Sequence, residues 1–349
     1  MATKGTKGTT GTKKLMVWLA GALVAGSMFA SPVAAADDVS VQLDWLVRGN
    51  HAMFFVGKEK GYFAQNGINL TNVRKGTGSV DALKLISNGN AEFGFADLPT
   101  LQLGRSQSLP VVALVAVNQK SPLAVISLKA KNPISKPSDL TGKNIGAHPS
   151  GSTYVFLRAF FARNGLNLAE FKQSTLAPPY ENMLLLGRVD VVPGYIDAEV
   201  PELESKAGGL GSLSILQGAD FGYKAYGSGL FTSEKMIAEK PDLVQRFVKG
   251  YIQAFQFVVE NPKEAVDIIV RVNPEYKGKE ETLFKQIDAD LKSTFFSDYT
   301  KQNGIGAISA TQWRETAQVL QEQGVLPATF NSAIGFNSSF VEKSAPLKR

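Results

Sequence analysis

The chain has 349 residues, enough for two lobes with cores of their own, and its 44% hydrophobic and 19% charged residues exclude a mainly disordered protein. It has no cysteine, which excludes disulfides, thiol catalysis, iron–sulfur clusters and cysteine-bound zinc, and its two histidines are too few for a multi-histidine metal site. The net charge is +6, but four lysines precede residue 37, so the remainder carries +2 and has no basic run to favour a nucleic-acid partner.

Residues 1–36 have the parts of a secretory signal peptide. Lys13 and Lys14 precede an apolar stretch, residues 15–26, that is short for a membrane span. Ala34 and Ala36 form a small-residue cleavage site, so we expect cleavage after Ala36 and a periplasmic mature protein. An uncleaved N-terminal anchor is the alternative.

Strand and helix patterns alternate along the mature chain, and a second cycle begins after residues 122–128. Alternating apolar and polar residues are typical of half-buried strands, while the apolar run 111–117 predicts a parallel strand covered on both faces. Strands are predicted at residues 39–43, 68–73, 93–96, 111–117, 123–128, 144–147, 190–194 and 227–233, and helices at residues 52–60, 79–86, 154–164, 241–259, from 261 onward and 309–323.

This alternation predicts an α/β fold with two lobes, each a doubly wound sheet flanked by helices. We expect lobe I to comprise residues 39–125 plus 228–349 and lobe II residues 126–227, with two crossover strands as a hinge. Ligands of such sheets bind at the carboxyl ends of the strands, so the cleft between the lobes is the expected site.

Several segments resemble the periplasmic substrate-binding proteins of ABC importers for nitrate, sulfonates, taurine and thiamine pyrimidine precursors. The stretches LDWLVRGNH at 43–51 and GKEKGYFAQNGI at 57–68 are similar to the pyrimidine-precursor branch. The resemblance implies a type II periplasmic binding protein fold, hinge closure on one small molecule and an ABC permease as partner. We expect a monomer without cofactor or metal. Further matching segments are residues 89–94, 139–146, 194–203 and 261–265.

Candidate ligand-binding residues of lobe I follow its strands. Trp45, Asn50 and His51 come after the first strand, where an indole can stack on a flat ring and an imidazole can exchange a hydrogen bond. The alternatives are that Trp45 fills a hydrophobic core and that His51 caps the next helix. Asp97 at a later strand end is a further candidate, with a surface turn as its alternative.

Two predicted helix starts are candidates for binding an anion or a carbonyl group through free backbone N–H groups. One contains Gly78, and the other contains Ser150, Ser152 and Thr153. Plain helix capping is the alternative.

Tyr195, Asp197 and Glu199 follow a strand of lobe II, and a ring with a carboxylate suits an aminopyrimidine. Pyrimidine binders of the resembled family tend to have Asn at the position of Asp197. A solvated Asp197 and a Glu199 paired with a Lys or Arg are the alternatives. Inward-pointing carboxylates disfavour an anionic ligand, although Arg48 lies within the Trp45 motif.

We expect no catalytic residue. Fungal thiamine-pyrimidine synthases resemble the same fold and use a histidine with a cysteine-rich segment, but Pro99 stands at the matching position and residues 224–231 contain no cysteine. Neither histidine accompanies a nucleophile-elbow motif. The sequence therefore predicts a periplasmic binder of a pyrimidine or another heteroaromatic, with a binder of sulfonate, taurine, nitrate or an aromatic acid as the alternative.

Overall fold

The computed structural model describes Met1, Gly8, and residues 35–176 and 181–343. Most of the predicted signal peptide lies outside the described residues. Within the described part of the chain, no helix combines the length and hydropathy that a membrane crossing needs.

The first sheet has five strands in the order β2-β1-β3-β10-β4. Strand β1 pairs in parallel with β2 and β3, whereas β10 is antiparallel to β3 and β4. The late strand β10 therefore returns the chain to this sheet. The strands are β1 Asp37–Gln42, β2 Ile68–Arg74, β3 Phe93–Asp97, β4 Val111–Ala116 and β10 Ser228–Ser233.

The second sheet repeats this arrangement in the order β7-β6-β8-β5-β9. Strand β6 is parallel to β7 and β8, and β5 is antiparallel to β8 and β9. Two mixed sheets with flanking helices confirm the predicted α/β class. The strands are β5 Leu123–Leu128, β6 Ile145–Ala147, β7 Gln173–Thr175, β8 Val191–Tyr195 and β9 Leu213–Gln217.

The prediction that residues 111–117 form a parallel strand is wrong, because β4 pairs with β10 in the antiparallel direction. Every residue of β4 is buried, and it is burial on both faces that produces its continuous apolar run. A continuous apolar run indicates that a strand is buried, but it does not indicate whether the neighbouring strand is parallel or antiparallel.

Helices cover both sheets. Helix α9, the longest in the described part of the chain, has twenty residues, and its apolar face packs into the first-sheet cluster beside Phe93. The helices are α1 Ala52–Glu59, α2 Tyr62–Gln65, α3 Ser79–Ser87, α4 Leu98–Ser106, α5 Ser152–Arg163, α6 Glu181–Leu185, α7 Glu199–Ala207, α8 Glu234–Glu239, α9 Pro241–Glu260, α10 Pro262–Val272, α11 Glu280–Ser293, α12 Asp298–Asn303, α13 Ala310–Glu322 and α14 Ser339–Lys343, with short 3-10 helices at Gly49–His51, Pro137–Leu140, Leu168–Glu170, Gly218–Phe221 and Pro274–Tyr276.

The chain passes between the sheets twice, after β4 and before β10, and the two crossovers lie side by side. The N–H of Gly227 donates to the carbonyl of Asn118 at 2.9 Å, and that of Ser121 donates to the carbonyl of Ala225 at 2.8 Å. Strand β5 lies wholly in the second sheet, so the predicted lobe limit after residue 125 falls inside a strand.

One helix and one loop residue pack into the hydrophobic core of the second sheet, although the chain segments that carry them neighbour the first sheet. Ala317 and Leu320 of α13 pack in the cluster of the second sheet, although α13 follows the return to the first sheet. Trp45, which follows β1 of the first sheet, packs with Ala124 and Ile126 of β5. The two halves are therefore in close contact in this structure.

Candidate functional site

A narrow cavity lies between the two sheets. Its volume is about 20 Å³, little more than one water molecule needs. A ring-sized solute therefore needs the walls to move apart before it can enter. The cavity is lined by Asp44, Trp45, Arg48, Gly78, Ser79, Gly151, Ser152, Thr153, Tyr195 and Glu199.

The lining residues come from segments at the carboxyl ends of strands. Residues 44–48 follow β1, and Gly78 with Ser79 starts α3 after β2. Residues 151–153 start α5 after β6, while Tyr195 ends β8 and Glu199 begins α7. This is the edge at which open α/β sheets hold their ligands.

The structure brings some of the predicted ligand residues to this cavity and leaves others outside its lining. The lining residues among them are Trp45, Gly78, Ser152, Thr153, Tyr195 and Glu199. The ones outside its lining are Asn50, His51, Asp97, Ser150 and Asp197.

Trp45 lies both at the cavity and in a hydrophobic core. Its side chain lines the cavity and also belongs to the hydrophobic cluster of the second sheet, with 9% of its surface exposed. The His148 ring lies edge-on to the indole, with 6.2 Å between ring centroids. An aromatic wall is therefore present where a flat solute could stack.

Arg48, which was not among the predicted ligand residues, lies at the centre of the polar wall. Its Nη2 is 3.0 Å from Oδ2 of Asp44, its Nη1 is 3.7 Å from Oε1 of Glu199, and its guanidinium lies 4.9 Å from the ring centroid of Tyr195. Burial alone lowers the pKa of a guanidinium, but Asp44 and Glu199 outweigh it and raise the pKa of Arg48. Arg48 therefore stays charged and is shared by two carboxylates.

Glu199 and Tyr195 are held by hydrogen bonds within their own turn. The backbone N–H of Tyr195 donates to Oε2 of Glu199 at 2.7 Å, and the Tyr195 hydroxyl is 2.6 Å from the hydroxyl of Ser152. Burial raises the pKa of Tyr195 well above its usual value, so the phenol is neutral. The second-sheet wall thus presents a carboxylate, a phenol and a serine hydroxyl.

His51 is completely buried behind Asp44 rather than at the cavity wall. Its Nδ1 accepts the backbone N–H of Arg48 at 3.2 Å, so the proton is on Nε2, which donates to Oδ1 of Asp44 at 3.0 Å. Burial lowers the pKa of His51, which keeps the ring neutral. His51 therefore orients Asp44. Burial raises the pKa of Asp44, but Arg48 and His51 together outweigh burial and lower it below its usual value.

Asn50 lies in the 3-10 helix beside His51 and is 2% exposed. Among the described residues, neither its amide oxygen nor its amide nitrogen has a hydrogen-bond partner. Asn50 is therefore buried with an unsatisfied amide, and it does not line the cavity.

The two helix starts predicted as candidate binding elements are in direct contact with each other. The N–H of Val80 donates to the carbonyl of Ser150 at 3.2 Å, and a Cβ at Gly78 would lie 2.5 Å from that oxygen. The Ser150 hydroxyl contacts Nε2 of His148 at 2.9 Å instead of reaching the cavity. Glycine at position 78 allows this close approach between the two halves.

Asp97 caps α4 rather than lining the cavity. Its Oδ2 accepts the N–H of Thr100 at 3.0 Å and the Thr100 hydroxyl at 2.7 Å, while its own N–H donates to the hydroxyl of Ser79 at 3.1 Å. Burial raises the pKa of Asp97 to about 7 despite the Thr100 hydrogen bonds, which lower it. Asp97 thus supports the lining residue Ser79 from behind.

Asp197 is not solvated, contrary to one alternative, because only 2% of it is exposed. Its Oδ2 is 3.3 Å from Nδ2 of Asn118, in the crossover after β4, and its carboxyl contacts that of Asp290 in α11. This residue joins the two halves of the molecule behind the cavity.

The sequence carried little signal for the central position of Arg48. Asp44 and Arg48 are four residues apart, but they lie in a non-helical segment between β1 and the 3-10 helix at Gly49–His51, so the spacing rule for ion pairs on a helix does not apply to them. The contact with Glu199, 151 positions along the chain, has no local signal.

The arrangement offers the indole of Trp45, a Tyr195 ring that already carries the Arg48 guanidinium, acceptor carboxylates, hydroxyl groups and the N-termini of two helices. Such a set can bind a flat molecule that has hydrogen-bond donors on its edge. Among the described residues, no group of three or more His, Cys, Asp or Glu side chains is arranged to hold a metal ion.

Curated relatives cover most of the chain. The formylaminopyrimidine-binding protein of Halalkalibacterium halodurans is 26% identical over 289 residues, 82% of this chain and 85% of the relative. The riboflavin-binding protein RibY of Chloroflexus aurantiacus is 25% identical over 87% of this chain and 86% of the relative. The 4-amino-5-hydroxymethyl-2-methylpyrimidine phosphate synthase THI12 of Saccharomyces cerevisiae is 21% identical over 78% of this chain and 83% of the enzyme.

Solved structures share the fold. The alkanesulfonate-binding protein SsuA of Xanthomonas axonopodis pv. citri superposes with a TM-score of 0.67 at 14% identity, covering 87% of this chain and 99% of that one. The nitrate-binding protein NrtA of Synechocystis PCC 6803 gives 0.68 at 13% identity, covering 89% and 88%. These likenesses confirm the predicted periplasmic binding protein fold.

The family assignment rests on a match to the NMT1/THI5-like family over residues 48–265, which is more than half of the chain. The match includes Arg48, Tyr195 and Glu199 of the cavity wall and both crossovers between the sheets. This confirms the resemblance found in the sequence, and the protein belongs to the NMT1/THI5-like family.

Proposed function

We propose that this protein is the periplasmic solute-binding component of an ABC importer and that its solute is a flat nitrogen heterocycle. The two sheets with their helices act as lobes I and II, which part to admit the solute, close on it and present the closed form to a membrane permease. The observation that carries the proposal is that Trp45, Tyr195 and Glu199 line one cavity at the carboxyl ends of strands.

The charges of the wall favour a solute with N–H donors over an anion. Asp44 and Glu199 together carry two negative charges, and Arg48 between them supplies one positive charge. A sulfonate, nitrate or aromatic acid would need a cation that is not already paired with carboxylates. An exocyclic amine or ring N–H instead finds acceptor oxygens.

The relatives support the same chemical class. Formylaminopyrimidine and riboflavin, named for two relatives, both contain planar nitrogen heterocycles with polar edges. The sulfonate and nitrate binders align at 13–14% identity and support the fold of this chain rather than its solute.

An enzyme of the pyrimidine phosphate synthase type is the second candidate, because a yeast synthase aligns over 78% of this chain. Binding is favoured for two reasons. The two binding-protein relatives are more similar to this chain than that synthase, at 25–26% against 21% identity. The chain also has no cysteine, and Pro99 stands at the position where the resemblance to the synthases implies a histidine.

A thermal-shift screen of the mature protein, residues 37–349, tests the solute class. The panel contains a formylaminopyrimidine, a hydroxymethylpyrimidine, riboflavin, taurine, an aromatic sulfonate and nitrate. A heterocycle at about 100 times its dissociation constant should stabilise the protein by about 2.7 kcal/mol, while taurine, sulfonate and nitrate should have no effect. Stabilisation by the anions alone would contradict the proposal.

Mass spectrometry of the released solute separates binder from enzyme. After incubation, a transported solute should be recovered unchanged in mass. Recovery of a converted product would favour the enzyme.

A further inference from the structure

Two buried aspartates from different halves of the molecule meet behind the cavity. Asp197 follows β8 of the second sheet, while Asp290 lies on α11, whose Leu283 and Ile287 pack in the first-sheet cluster. Asp197 is 2% exposed and Asp290 is 1% exposed. Neither carboxyl lines the cavity, so the pair is separate from the wall that contacts the solute.

One amide holds both carboxyls at the crossover. Nδ2 of Asn118 lies 2.6 Å from Oδ1 of Asp290 and 3.3 Å from Oδ2 of Asp197, and the Thr294 hydroxyl also donates to Oδ1 of Asp290. The shared amide brings the two buried carboxyls side by side, and two carboxyls this close in a buried site are strongly disfavoured as a pair of anions, so one of them keeps a proton. The cluster therefore joins both halves and the crossover, and its two carboxyls share one proton.

The surroundings favour keeping that proton. Burial raises the pKa of both aspartates, and the neighbouring Asp197 carboxyl further raises that of Asp290. Arg48 is the charged group that acts on Asp197 from the segment after β1, and its charge is shared with Asp44 and Glu199. Asn118 from the crossover and Thr294 after α11 are neutral.

We propose that the Asp197–Asp290 pair is a proton-operated latch, closed when the pair shares a proton and weakened when that proton is lost. The inference rests on the proposed function only in assuming that the two lobes separate. With the lobes apart, each carboxyl meets water and has an ordinary pKa near 4. Above about pH 4 the closed form therefore keeps a proton that the open form has lost. Each rise of one pH unit then lowers the ratio of closed to open protein by up to tenfold, until the pair in the closed form is also ionised.

Distance measurements without any solute test the latch. The chain has no cysteine of its own, so Lys84→Cys on α3 and Ser205→Cys on α7, both exposed, give one spin-label pair across the lobes. Double electron–electron resonance of the mature protein between pH 4 and 8 should show the longer distance gaining population as the pH rises.

Asp290→Asn and Asp197→Asn each leave a permanent amide donor in place of the shared proton. Both variants should keep the short distance, with no pH dependence. Asp288→Asn on the same helix, which removes a carboxylate paired with Lys292 near the surface, is the matched control and should retain the wild-type pH response. Far-UV circular dichroism and thermal unfolding of each variant verify that it is folded.

A pH response that persists in both latch variants, or that is absent from the wild type, would overturn the inference. Because no solute is added, this result does not depend on the thermal-shift screen. If no heterocycle binds while the latch variants abolish the pH response, the proposed function fails and the latch stands.

Discussion

The Arg48 guanidinium lies 3.7 Å from the Glu199 carboxylate and connects the segment after β1 of the first sheet to the start of α7 in the second half. Glu199 also accepts the backbone N–H of Tyr195. A solute with N–H donors would compete with Arg48 for this carboxylate as the cavity closes around it. Arg48 would remain compensated, because Asp44 lies 3.0 Å away.

Glu199→Gln should weaken binding of an amine-bearing solute by at least about 1.5 kcal/mol, roughly a tenfold loss of affinity, since a charge-assisted hydrogen bond is lost. Isothermal titration calorimetry measures this directly. Glu202→Gln on the same helix is the control, because Glu202 pairs with Lys206 near the surface. Equal affinities for wild type and Glu199→Gln would remove Glu199 from the binding site.

Trp45→Phe should abolish a solute-induced change in tryptophan fluorescence. The mature chain contains Trp45 and Trp313, and Trp313 is fully buried in α13 with its indole N–H donating to the carbonyl of Ile334. Trp313→Phe should therefore keep the signal. A change that survives in Trp45→Phe and disappears in Trp313→Phe would place the solute elsewhere.

Gly78→Ala should reduce solute affinity at least about tenfold, because the new Cβ would lie 2.5 Å from the Ser150 carbonyl and hold the lobes apart. Calorimetry gives the affinity, and small-angle scattering should show the solute-bound form remaining expanded. Gly89→Ala is a useful contrast, since Gly89 has φ +74° at the end of α3 and no neighbour within 4 Å of a Cβ. That variant should lose about 1 kcal/mol of stability and retain full affinity.

Asp97→Asn should flatten the dependence of stability on pH between about 4 and 7. The pKa of Asp97 is raised from an ordinary 3.8 to about 7 in the folded protein, so its contribution is complete below pH 3.8 and is lost as the pH rises towards 7. The loss is about 1.4 kcal/mol per pH unit within that range. Asparagine still caps α4 but cannot titrate.

Urea unfolding at pH 4, 5, 6 and 7 checks this prediction. The free energy of unfolding of Asp97→Asn should fall less between pH 4 and 7 than that of the wild type. Asp38→Asn, at an exposed position, should follow the wild-type curve. Parallel curves for Asp97→Asn and wild type would show that Asp97 does not bind a proton in this range.

The α/β class and the cavity edge were predictable because both depend on local patterns. Alternating and continuous apolar runs mark strands such as β1 and β4, and polar residues that follow strand ends mark the edge where Trp45 and Glu199 lie. The family was also evident from local motifs, and the match over residues 48–265 confirms it.

Long-range contacts were decided only by the tertiary structure. The partners of Glu199, Asp197 and β4 lie 79 to 151 positions away along the chain, and no local pattern specifies which charges or strands will meet. Hydrophobic periodicity sets which face of an element is buried, whereas the pairing of charges across the cleft depends on how the two packed halves come together.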